Sequence, residues 1–134
     1  MTVAHIILSV LAALLIIADI AVVVVTVLAA RGVIGPNPYA GIRTRIVLAT
    51  REAWTTGHRA AIPMLAMGAG VSAVVALLST ISLGTAPTIV MLVLSLFVLV
   101  GFLLFGGAQA NLAARGVLER EALAALESEQ RRKR

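Results

Sequence analysis

The chain contains no cysteine, which excludes a disulfide framework, a thiol nucleophile and a thiolate metal site. Charge is scarce, at 13% of residues, where an ordinary soluble domain carries about 25%. Aromatics make up only 4%, with a single Trp and a single Tyr. What fills the 134 residues instead is apolar: 60% are hydrophobic and the mean hydropathy is +1.06. Such a composition belongs to a membrane protein. The net charge of +5 would suggest a nucleic-acid partner in a soluble protein, but here the basic residues flank hydrophobic runs. Membrane topology accounts for them, and no nucleic acid is expected as a partner.

Three runs are long enough to span, since about 20 apolar residues cross the hydrocarbon layer. The first is 3–30, whose one ionisable group at depth is Asp19. No basic residue precedes it, unlike the start of a signal peptide, so it reads as a retained span. The second is 60–83, with Pro63 near its start, and the third is 88–110. The connection Gly84-Thr85-Ala86-Pro87 reads as a tight turn that makes the last two spans an antiparallel hairpin. Beyond Asn111, Ala- and Leu-rich sequence keeps helical character to about Leu126 and ends in the basic run 131–134, expected to be frayed. The fold class is therefore all-α, a single integral membrane domain with three transmembrane helices, a loop at 31–59 and a helical tail at 111–134.

The loop is the one long stretch that is not apolar. Prolines 36 and 38 prevent the first helix from continuing into it. Thr50 is a good N-cap, and Glu52 sits where a helix dipole favours a carboxylate, so a short helix is expected over 51–58. Trp54 and His58 share one face of it, and Trp prefers the headgroup level, which predicts a helix lying in the membrane interface with Trp54 as an anchor.

Orientation follows from the basic residues. Arg31, Arg43, Arg45, Arg51 and Arg59 lie in the loop; Arg115, Arg120, Arg131, Arg132, Lys133 and Arg134 lie in the tail. The N-terminus and the hairpin turn carry none. The predicted topology has the N-terminus outside and the loop and C-terminus in the cytoplasm. Small residues in i, i+4 spacing, Gly68 with Ser72 and Ala76 and Gly106 with Ala110, mark helix-contact faces, either within the chain or with another copy.

The run Asn37-Pro38-Tyr39-Ala40-Gly41-Ile42-Arg43-Thr44, followed by Thr50, Trp54 and His58-Arg59 at the head of a span, resembles the signature of the SdpI family of small bacterial membrane proteins. The likeness extends over roughly 33–110. It implies a non-catalytic protein of the bacterial plasma membrane that protects against, or senses, a membrane-active toxin peptide through its cytoplasmic-face motif loop. It also implies a toxin peptide or a transcriptional repressor as partner, beside membrane lipids. A small accessory subunit of a larger membrane complex is the alternative reading, and a homo-oligomer is open under either. A lipid-headgroup enzyme is a third. The enzyme reading finds little support, because no H-x-x-x-H, nucleophile-elbow or phosphate-loop motif is present, and His5 and His58 fall on opposite membrane faces under the predicted topology. No cofactor, metal or catalytic residue is expected.

Physically, Gly41 permits a backbone turn, Arg43 carries a guanidinium fork matched to phosphate or carboxylate, and the helix N-terminus at Arg51 presents N–H groups to an anion. The loop could clamp a lipid headgroup or an acidic peptide. Alternatively, the arginines set topology, or Arg43 and Arg59 bond loop carbonyls and the Glu52 carboxylate. Asp19, about eleven residues or roughly 16 Å from the inner end of its helix, should face the protein interior, neutral or hydrogen-bonded, with Ser72 at similar height on the second span.

Overall fold

The computed structural model describes residues 2–81 and 84–134. Among these residues are three helices, α1 (Val3–Ala30), α2 (Arg51–Leu78) and α3 (Thr85–Arg132). Each is long and apolar enough to cross a membrane. Large hydrophobics such as Leu14, Val24, Val74, Val93 and Leu104 lie exposed on them. A helix that is hydrophobic on all sides with its apolar groups uncovered suits lipid, not water.

Local chemistry sets the ends. At the close of α1, the Val33 N–H bonds the Leu28 carbonyl and the Gly32 N–H bonds the Ala29 carbonyl, both at 3.0 Å. This is the Schellman arrangement, and Gly32 takes the left-handed conformation that it requires, at φ 73°. Thr50 caps α2, its hydroxyl accepting the Ala53 N–H at 3.1 Å. Pro87 lies in the first turn of α3, where a missing N–H is tolerated.

The helices differ from the sequence reading in four places. The helix that starts at Arg51 does not end at His58 as a separate interfacial piece; it runs unbroken to Leu78 with Pro63 inside it. One proline removes only the N–H that would reach the Arg59 carbonyl, and the apolar sequence on both sides carries the helix through. It ends at Leu78, with 79–81 in a turn, short of the expected limit of the second span; the last two residues of that span, 82 and 83, lie outside the described residues. Thr85 to Pro87 belong to α3 and not to a turn. At the other end, α3 extends to Arg132, beyond the expected limit near Leu126. Arg131 and Arg132 in the last turn complement the helix dipole, and Lys133 pairs with Glu129 at 2.5 Å.

The chain divides into two compact units, one comprising Met1–Val24 with Ile62–Gly106, the other Val25–Ala61 with Gly107–Arg134. In the first, Gly68 lies directly beneath the Phe102 side chain, and a Cβ on Gly106 would approach Leu65 within 2.8 Å. The missing Cβ atoms let α2 and α3 come close, so these faces are used within the chain. The core of the second unit holds Val47, Ala53, Trp54, His58, Ala61, Ala110, Ala114 and Val117.

Candidate functional site: a latched motif loop and an intramembrane acid

The loop of the second unit is built from side chain to backbone bonds. Asn37 turns the chain, its Oδ1 accepting the N–H groups of Tyr39 (2.9 Å) and Ala40 (2.8 Å) while its amide donates to the Gly35 carbonyl. This is the local backbone mimicry at which Asn excels. The guanidinium of Arg43 closes the next step by donating to the carbonyl of Pro38. Between them Gly41 sits at φ 92°, and a Cβ there would lie 2.6 Å from His58 Nε2 and 3.1 Å from the Trp54 ring.

His58 is the latch. Its Nε2 accepts the Ile42 N–H at 2.8 Å, and its Nδ1 faces the Trp54 carbonyl at 2.8 Å. A carbonyl can only accept and a backbone N–H can only donate, so the ring is neutral with its proton on Nδ1. The rings of Trp54 and His58 stack with centroids 4.2 Å apart, tilted by 46°. Trp54 is not an exposed anchor. It is 0% exposed, and its Nε1 donates to the Ile34 carbonyl at 2.7 Å, which ties the α1 exit to α2.

Two further residues secure the loop. The Thr44 hydroxyl donates to Asn111 Oδ1 on α3 and accepts the Val47 N–H at 3.3 Å. The Thr50 hydroxyl, besides capping α2, lies 3.3 Å from Glu121 Oε1. Asn111 and Glu121 escaped the sequence reading. The only signal for Asn111 was an amide placed where the third apolar run ends. Removing either partner of the Thr44–Asn111 bond should cost about 1 kcal/mol. Because the two groups touch, Thr44→Val and Asn111→Leu should combine to less than the sum of their single effects, with coupling of about 1 kcal/mol. Denaturation followed through Trp54 emission checks this, and strict additivity would rule the bond out.

The arginines lie at the surface of this network, and of the five only Arg43 and Arg51 bond loop carbonyls among the described residues. Arg31, Arg43, Arg45, Arg51 and Arg59 are all exposed. Arg51 reaches the Gly32 carbonyl at 3.3 Å. Arg59 has no hydrogen bond or ion pair among the described residues, and the pairing of Arg43 or Arg59 with Glu52 is not formed. No group of three His, Asp or Glu able to hold a metal occurs among the described residues.

In the first unit, Asp19 is 1% exposed and has Ser72 beside it. Ser95, the one hydroxyl between Thr88 and Gln109, completes the cluster and escaped the sequence reading. Its hydroxyl donates to the Ser72 carbonyl at 2.7 Å, while the two serine oxygens lie 2.9 Å apart. The Ser72 hydroxyl thus stands between Ser95 and Asp19, with one proton to give to either. Neither Asp19 oxygen has a hydrogen bond of normal geometry.

Residues 33–106 match the family model described as the SdpI/YfhL protein family. Comparison with curated proteins and with solved structures gives no match. The matched segment contains the asparagine turn, Gly41, Arg43 and the Trp54–His58 latch, together with α2 and the apolar first part of α3. The chain is thus a three-span membrane protein that belongs to the SdpI/YfhL protein family.

Proposed function

We propose that the protein guards the bacterial envelope against a membrane-active toxin peptide, or senses that peptide, through the basic face of its motif loop. One observation carries the reading: the polar groups of Asn37, Thr44, Thr50, Trp54 and His58 are all engaged internally, while five guanidinium groups in the same segment remain exposed. A rigid frame that leaves five planar cations uncovered is suited to phosphate headgroups or to carboxylates of an acidic segment. The frame uses both nitrogens of His58, so the imidazole has none left for acid–base work on a lipid, and the reading is non-catalytic. Docking on a larger complex through Gly68 and Gly106 is disfavoured, because both lie against side chains of the same chain.

The loop and the C-terminal tail are assigned to the cytoplasm and the N-terminus to the outside by the distribution of basic residues. A single cysteine at Thr2 or Thr85 should react with an impermeant thiol reagent in intact cells, and one at Thr44 or Ser128 should not. Labelling at Thr44 from outside would reverse the orientation.

Function is tested by charge-preserving change. Arg59→Lys and Arg43→Lys retain the positive charge that sets topology but lose the guanidinium fork. Survival of cells challenged with a membrane-active peptide should fall for both variants, with insertion and Trp54 emission unchanged for Arg59→Lys. Full protection by both would leave the arginines as topology signals and remove the proposed role.

A further inference from the structure

The described cavities include one of about 310 Å³ that is open on one side and lined by Asp19, Ile20, Val23 and Val24 of α1 and by Ala66, Ala69, Gly70 and Ala73 of α2. Its α2 wall carries two small-xxx-small pairs, Ala66 with Gly70 and Ala69 with Ala73, and Ala66 and Gly70 are exposed. This is the surface that lets a neighbouring helix bring its backbone close. Asp19 belongs to this lining; its side chain is at least nine-tenths buried, and neither carboxyl oxygen has a hydrogen bond of normal geometry.

Arithmetic of protons shows that the chain does not satisfy this group by itself. Of the two hydroxyls next to it, Ser95 is engaged with Ser72, and Ser72 can turn its single proton either to Ser95 or to Asp19, which serves one carboxyl oxygen at most. Even when protonated, the carboxyl could give its own proton to Ser72 Oγ but would still keep a carbonyl oxygen lacking a donor. Unsatisfied polar atoms in a lipid-like surrounding are costly, which favours a donor arriving from outside the chain.

We propose that this groove is a docking site for a transmembrane helix of another protein that carries one uncharged hydrogen-bond donor, such as an Asn or Gln side chain, at the level of Asp19. A polypeptide at that depth must be helical, since the bilayer offers its backbone no other partners. An acyl chain fills the apolar walls but brings no donor. In a second copy Ser72 and Ser95 are buried and bonded to each other, so neither serves as the donor. This inference does not rest on the role assigned to the motif loop.

The test uses the full chain, labelled for energy transfer, in phosphatidylcholine vesicles with a polyleucine peptide of about 20 residues that carries one central Asn. An all-leucine peptide is the control. The Asn peptide should associate about tenfold more strongly than the control. Asp19→Leu should abolish the difference, and Asp19→Asn, which keeps an acceptor oxygen, should retain most of it. Gly70→Leu should also abolish it by filling the groove; a Cβ at Gly70 meets nothing within 4 Å, so this variant is expected to fold even where Asp19→Leu does not. Trp54 emission reports that folding. Equal association of the two peptides, or a preference that survives Gly70→Leu, overturns the proposal. Energy transfer between labelled copies that Gly70→Leu removes would also overturn it, by making the occupant a second copy.

Discussion

Gly41→Ala should open the motif unit, lowering its stability by about 3 kcal/mol and shifting Trp54 emission to the red. Two effects combine. At φ 92° a residue with a Cβ is strained by about 1–2 kcal/mol. The new carbon would also stand 2.6 Å from His58 Nε2, so the imidazole must move and the Ile42 N–H loses its acceptor. An orphaned buried donor costs about 1–3 kcal/mol. The reporter is specific, because Trp54 is the one indole in the chain, is fully buried, and stacks on the ring that would be displaced. Emission and protease sensitivity of the loop measure the effect. A variant with native emission and a native melting point would show that the loop tolerates a Cβ at this place.

Gly32→Ala meets a different situation and serves as a comparison. Its φ of 73° carries similar strain, but a Cβ there would lie 3.6 Å from the Thr55 methyl, an ordinary contact. Only the conformational part should appear, about 1–2 kcal/mol. The excess at Gly41 therefore isolates the cost of disturbing His58.

What could be read in the sequence was local in the chain. Three apolar runs specify three helices, Thr50 announces a cap three residues ahead of the N–H it accepts, and a spacing of four places Trp54 and His58 on one face. The burial of Trp54 was not legible, since its indole bonds a carbonyl at Ile34, outside the helix whose periodicity was being read. The same holds for Thr44 with Asn111 and for Ser72 with Ser95, separated by 67 and 23 residues. Periodicity reports which face of an element is apolar; it does not report which polar groups meet across elements. The continuity of α2 through Pro63 was missed for another reason. The cap at Thr50 and the apolar run from 60 were read as two elements, whereas the strongly apolar sequence after Pro63 stabilises one helix beyond one lost bond.

His58→Phe separates hydrogen bonding from packing in the latch. Phe fills nearly the same space and keeps an aromatic ring against Trp54, so a residue that served only to pack would be replaced at little cost. The structure gives His58 a polar role: the Ile42 N–H has its acceptor in Nε2. Destabilisation of about 2 kcal/mol is therefore expected, together with faster hydrogen exchange at the Ile42 amide. A neutral outcome would reduce the latch to a stacked pair of rings. The interaction with Gly41 gives a sharper test. His58→Ala removes the atoms that a Cβ on Gly41 would strike, so the double variant Gly41→Ala/His58→Ala should lose less than the sum of its parts. The steric clash disappears, the Ile42 bond can be broken only once, and what remains of the Gly41 effect is the left-handed strain of about 1–2 kcal/mol. Additive losses would mean that Gly41 and His58 act independently, and the close approach between them would not be what holds the motif loop in place.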